Sequence, residues 1–167
     1  VINNGTETAA TAGEILLTNG TAVHTISGIG TFNNLEINDA TYGATISGNT
    51  NITLTGALKL TSGALNIGAS TLTLTLNTAG GIITTSGGTI GSSTNNGSLI
   101  VTGNSTLGNL GILKLTGGAQ ILNTFTLNLT GTTPSLTING DLTWSKAGTC
   151  LTMTKGNLTM NGNLTMR

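Results

Sequence analysis

Charge and aromatic rings are what this sequence has least of: charged residues make up 6% of it and aromatics 2%, with two Phe, one Tyr and one Trp. Neither salt-bridge networks nor a large aromatic core can hold such a chain together, so stability has to come from many small aliphatic contacts and from backbone ladders. The four Lys and one Arg are scattered among five acids, for a formal net charge of zero. Nucleic-acid binding needs clustered basic residues, so no nucleic-acid partner is expected. No apolar run approaches the roughly 18 to 20 residues of a membrane helix. Ile15-Leu16-Leu17 is about as long as runs get, and no membrane insertion is expected. A single cysteine excludes an intrachain disulfide. Counted from Leu151 as inward, Cys150 should face outward or sit in a turn, without chemistry of its own. Helix-tolerant residues occur only from Ala9 to Leu17, where Ala9-Ala10-Thr11-Ala12 could form at most one short turn.

What fills the space is Thr (36), Gly (26) and Asn (20), about half of the 167 residues. Threaded through them is a recurring triplet of aliphatic, polar, aliphatic. It appears as Leu35-Glu36-Ile37, Ile52-Thr53-Leu54, Leu58-Lys59-Leu60, Leu65-Asn66-Ile67, Leu113-Lys114-Leu115, Leu127-Asn128-Leu129 and Leu136-Thr137-Ile138, and again at Leu142, Leu151, Leu158 and Leu164. Alternation of period two marks a strand with one dry and one wet face. Leu35, Ile37, Ile46, Ile52, Leu54, Leu58, Leu60, Leu65, Ile67, Leu72, Leu74 and Leu76 should point inward; Glu36, Thr53, Lys59, Asn66, Thr73 and Thr75 should point outward. Every charged residue within a triplet (Glu36, Lys59, Lys114) takes the outward position, which avoids an unpaired buried charge.

Between the strands stand turn clusters such as Ser47-Gly48-Asn49, Thr61-Ser62-Gly63, Ser86-Gly87-Gly88, Thr94-Asn95-Asn96-Gly97, Asn139-Gly140-Asp141 and Asn161-Gly162-Asn163, expected to form corners. An antiparallel sandwich would need longer strands and more large aromatics. The expected fold is therefore all-β: a parallel β-helix, or β-solenoid, of about seven coils of three short strands with no substantial helix. Leu35 to Leu58 (23), Leu113 to Leu136 (23) and Leu136 to Leu158 (22) suggest coils of about 22 to 24 residues. Residues 1–167 are expected to form one solenoid domain, with 1–30 less regular and 31–167 carrying the repeats.

The segment Phe32-Asn33-Asn34-Leu35-Glu36-Ile37-Asn38, followed by Ile46-Ser47-Gly48-Asn49, Leu58-Lys59-Leu60-Thr61-Ser62-Gly63-Ala64-Leu65-Asn66-Ile67 and Leu72-Thr73-Leu74, resembles the β-strand repeats of large secreted bacterial surface proteins. The similarity is good over residues 20 to 78 and looser beyond. It implies an extracellular or cell-surface protein in which the repeats serve as stalk, adhesin shaft or scaffold, and it brings no catalytic residues with it.

Sharper activities find little to stand on. Glycoside hydrolysis needs two carboxylates at a set separation; of Glu7, Glu14, Glu36, Asp39 and Asp141 only Glu36 and Asp39 are close in sequence, and they read as a solvated pair. His24 is the only imidazole, with no second His or Cys to hold a metal. Two Asp are too few for a calcium-loaded β-roll. Thr71-Leu72-Thr73-Leu74-Thr75 and Thr152-Met153-Thr154 invite an ice-binding reading, but that requires Thr at one place on successive coils. The outward positions vary among Glu36, Thr53, Lys59, Asn66, Lys114 and Asn128. Tyr42 and Trp144 are the only polar-tipped aromatics for a glycan platform, and Trp144 falls inward.

The expectation is a non-enzymatic, cofactor-free structural protein whose partner is itself. The chain begins at Val1, which fits a removed leader or a piece of something longer, and runs to Arg167 through strand-like residues without an evident cap. Head-to-tail pairing of β-edges, with Leu158, Met160, Leu164 and Met166 as the C-terminal contact, would build a filament. The core ladder behind it is Leu35, Ile37, Leu58, Leu60, Leu65, Ile67, Leu113, Leu115, Leu127, Leu129, Leu136 and Ile138. A stalk segment of a surface adhesin is the alternative, with ice- or glycan-binding more distant; cell-surface or glycan contacts are the other partners considered.

Overall fold

A computed structural model describes residues 1–5, 13–48, 50–76, 81–92, 97–103, 109–117, 120–130, 134–144 and 149–166. Among the described residues there are eighteen strands and no helix. The first side of the coil carries β1 (Glu14–Thr18), β4 (Asn34–Asn38), the first half of β7 (Leu58–Asn66), the first half of β9 (Ile82–Gly91), β11 (Asn109–Lys114), β14 (Ser135–Asn139) and β17 (Asn157–Asn161). The second side carries β2 (His24–Ile26), β5 (Ala44–Ile46), the second halves of β7 and β9, β12 (Gln120–Leu122), β15 (Leu142–Trp144) and β18 (Leu164–Met166). The third side carries β3 (Thr31–Phe32), β6 (Asn51–Leu54), β8 (Thr71–Leu76), β10 (Ser98–Gly103), β13 (Thr124–Leu129) and β16 (Leu151–Lys155). Every pairing is parallel and joins one coil to the next, so the chain is an all-β parallel β-solenoid.

The first side has seven rungs, but about five full turns close, so the expected seven counts rungs rather than turns. Rungs are 20 residues apart at Glu14 to Asn34 and at Asn51 to Thr71, and 27 apart at Thr71 to Ser98, a wider spread than 22 to 24. Leu58 sits over Leu35 and Leu158 over Leu136, as the spacing suggests. Leu113 instead pairs with Ile138. Three residues separate Asn109 from Ile112 where their partners Ser135 and Thr137 are two apart, so a bulge at Gly111 (φ 120°) shifts the register.

All twelve residues expected to face inward between Leu35 and Leu76 are at most 1% exposed. They form one core with Phe32, Val101, Leu113, Leu127, Leu129, Leu136, Ile138 and Trp144. Trp144 is buried as expected, with no hydrogen-bond partner at its Nε1. Two corners are more economical than the sequence suggests: Thr61-Ser62-Gly63 and Ser86-Gly87-Gly88 lie inside the continuous strands β7 and β9. The bend of β7 is made by a register shift between Leu60 and Ser62 and by Gly63 at φ 78°, where a Cβ would run into the Asp39 carbonyl oxygen.

Cys150 is only 4% exposed, which corrects its outward placement: it stands outside β16, whose alternation starts at Leu151, and packs into the core. Ala9–Ala12 lies outside the described residues, and Glu14 to Leu17, which follows it, is strand rather than helix.

Candidate functional surfaces

The C-terminal rungs continue the inner columns. Leu158 stacks on Leu136, Met160 on Ile138, Leu164 on Leu142 and Met166 on Trp144. Leu158 and Met160 are partly buried against the core. Leu164 and Met166 are 46% and 69% exposed, while Leu142 and Trp144, one rung below, are 1% and 2% exposed. β18 thus presents apolar side chains whose counterparts on β15, Leu142 and Trp144, are covered by the neighbouring coil. Met153 of β16, in register on the buried Leu127, is exposed as well. At the opposite end Ile2, Leu16, Val23 and Ile29 are exposed, and Ile2 bridges Ser27 below β2. In the middle, Ile83 and Ile112 are the exposed aliphatics of the first side.

Glu36 and Asp39 are not a solvated pair; both are buried, and each has its own donors. Glu36 points outward from β4 but is covered by Lys59, whose Nζ lies 2.7 Å from Oε2, and by the Thr61 hydroxyl, which donates to Oε1 at 2.6 Å. The bond from Lys59, then that from Thr61, holds the Glu36 carboxyl below its ordinary pKa, and Lys59 is pushed up in return. Asp39 occupies the corner after β4. It accepts backbone N–H bonds from Tyr42 (3.0 Å), Gly20 (2.7 Å) and Thr41 (3.1 Å), and His24 Nε2 lies 3.0 Å away. The Tyr42 and Gly20 amides hold its carboxyl below the usual range. These groups tie coil to coil: Glu36 joins rungs 23 residues apart, and Asp39 joins two consecutive corners. His24 is engaged by Asp39, and Tyr42 is exposed at the same corner. Among the described residues no group of three or more His, Cys, Asp or Glu could hold a metal.

A cleft of about 290 Å³ on the second side is lined by Asn66, Ser92, Thr116 and Gln120 among others. It marks an interruption in the ladder: β9 meets the next coil there through the isolated Ile90–Leu115 bridge. Gln120 fills in for missing backbone partners, accepting from the Ser92 amide (3.0 Å) and donating to the Thr116 carbonyl (3.1 Å). Its polar atoms are occupied in closing the fold.

The third side is where outward residues repeat. The register aligns Thr31, Thr53, Thr73, Ile100, Thr126 and Thr152 in one column across six rungs. A second column runs Asn51, Thr71, Ser98 and Thr124, and a third runs Thr75, Thr102 and Asn128. The variation expected among outward positions came from pooling sides: Glu36, Lys59 and Lys114 belong to the first, Asn66 to the second, and Thr53 and Asn128 to the third. Within the third side the threonines coincide, a signal that only the strand register makes visible.

Fold and surface together define the class, a β-solenoid built from repeated aliphatic ladders. No known protein family, curated protein or solved structure matches the chain.

Proposed function

We propose that this solenoid is a structural, non-enzymatic element outside the cell, stacking head to tail into a filament. The observation that carries the reading is the continued inner column: Leu164 and Met166 stand in register on Leu142 and Trp144 and are exposed, where Leu142 and Trp144 are buried. A strand edge with unpaired N–H and C=O groups beside exposed aliphatics is a template for another strand. The first coil of a second copy supplies one, with Ile2, Val23 and Ile29 exposed there. A contact between different ends does not close on itself, so it propagates into a fibre. The scarcity of charge leaves little repulsion to oppose it. The extracellular setting is drawn from the resemblance to secreted surface repeats.

Negative-stain electron microscopy of the purified chain, beside a Leu164→Lys/Met166→Lys variant, tests this. Filaments in the parent and single short rods in the variant are expected. Single rods in both would overturn the filament and favour a stalk segment of a longer surface protein, in which the same edge is covered by more of its own chain.

A further inference from the structure

We propose that the third side of the coil is an ice-binding surface. The inference is independent of filament formation and rests on the strand register. Five of the six residues in the central column are threonine: Thr31, Thr53, Thr73, Thr126 and Thr152. The sixth, Ile100, keeps a methyl at that position. None of these five hydroxyls has a hydrogen-bond partner among the described residues, so they are available to water. In the flanking columns two pairs of hydroxyls are instead tied to each other. Thr102 donates to the Thr75 hydroxyl (3.2 Å) and Thr124 to the Ser98 hydroxyl (2.9 Å), bonds that run from coil to coil and fix the side chains.

Neighbouring rungs lie about 4.8 Å apart and alternate residues of a strand about 6.6 Å apart, so the side chains form a rectangular grid. The grid is stiff. The residues between them, Leu72, Leu74, Leu99, Val101, Phe125 and Leu127, are at most 2% exposed, and the ladders from β3 to β13 have no register shift; the first comes between Leu127 and Asn128, where β13 meets β16.

A ligand complementary to this face must be periodic in two dimensions, uncharged and able to accept and donate hydrogen bonds at each repeat. Ice has those properties. Threonine suits it doubly, since the methyl excludes loosely held water while the hydroxyl anchors an ordered molecule at small entropic cost. No charged residue lies on the strands of this side before Lys155 at its end, so no tightly hydrated ion disturbs the first water layer. A soluble sugar would be served by an aromatic stacking platform, and the outward positions of these strands carry none.

The test measures ice recrystallisation inhibition and thermal hysteresis for the parent, for Thr73→Lys at the centre of the grid, and for Thr137→Lys, an outward threonine of the first side. Circular dichroism melting confirms that each is folded. The Leu164→Lys/Met166→Lys protein, assayed alongside, separates ice binding from stacking. Expected are activity in the parent, in Thr137→Lys and in the terminal variant at equal molar concentration of chain, and loss of it in Thr73→Lys. A folded parent with no activity, equal loss in both threonine variants, or retention of the parent by crystalline cellulose or chitin but not by ice would overturn the proposal.

Discussion

Replacing Leu74 by alanine probes the stacked core where it is most complete. Leu74 is fully buried, with Leu54 in register below it and Val101 in register above. Leu→Ala in a core costs about 2–5 kcal/mol, and more where the surroundings cannot collapse into the cavity. Here the neighbours are held on both sides by parallel ladders, so a cost of about 3–4 kcal/mol is expected. For a chain of this size each kcal/mol lowers Tm by about 2–4 °C, giving a drop of roughly 6–16 °C. Leu164→Ala is the matched control. Leu164 is already 46% exposed, so its truncation should cost about 1 kcal/mol or less. Far-UV circular dichroism melts of both, at a concentration where the chain is dispersed, read the difference. Equal shifts would refute the reasoning, because they would mean that the inner and terminal rungs are packed alike.

Acid should weaken the fold at defined positions. The carboxyls of Glu36 and Asp39 lie below their ordinary pKa values in the folded state, so the stability they contribute is present above the ordinary carboxylate range of about 4 and is lost as pH falls through the folded values. Denaturation midpoints should be flat from pH 7 to about 5 and fall below about 4, and a Glu36→Gln/Asp39→Asn protein should show a shallower acid limb. An unchanged acid limb would show that neither carboxylate is engaged as described. Gly63→Ala should destabilise by about 2 kcal/mol or more, because its left-handed backbone and the nearby Asp39 carbonyl leave no room for a Cβ. Gly117→Ala, where a Cβ meets nothing within 4 Å, should stay within about 0.5 kcal/mol of the parent. Comparable losses at the two positions in urea titrations would contradict the β7 bend.

Period-two alternation made the inward residues legible from sequence, because a buried aliphatic column cannot tolerate a one-residue slip. Leu35 over Leu58 and Leu136 over Leu158 could be read from spacing alone. Leu113 over Ile138 could not, since a bulge residue at Gly111 leaves no mark in the alternation. Corners hidden inside β7 and β9 were also out of reach: Gly-rich triplets signal turns whether or not the ladder continues through them. The buried Glu36–Lys59 bond depends on register across 23 residues, so outward placement was readable but cover by Lys59 was not. The threonine column is hidden in the sequence for a related reason. Which of three sides a triplet occupies is set by corner lengths, and these vary from coil to coil.

Cross-linking between rungs tests the register on which the stacked core, the terminal edge and the threonine grid all depend. In a Cys150→Ala background, Thr53→Cys/Thr73→Cys places thiols on neighbouring rungs in register, within the 4.4–6.8 Å Cα separation that a disulfide needs. Thr53→Cys/Thr75→Cys places them two residues out of register, about 8 Å apart. Mild oxidation should link the first pair readily within a single chain and leave the second reduced, read by mass spectrometry of proteolytic fragments. Linkage of the offset pair, or of neither, would contradict the parallel in-register coil.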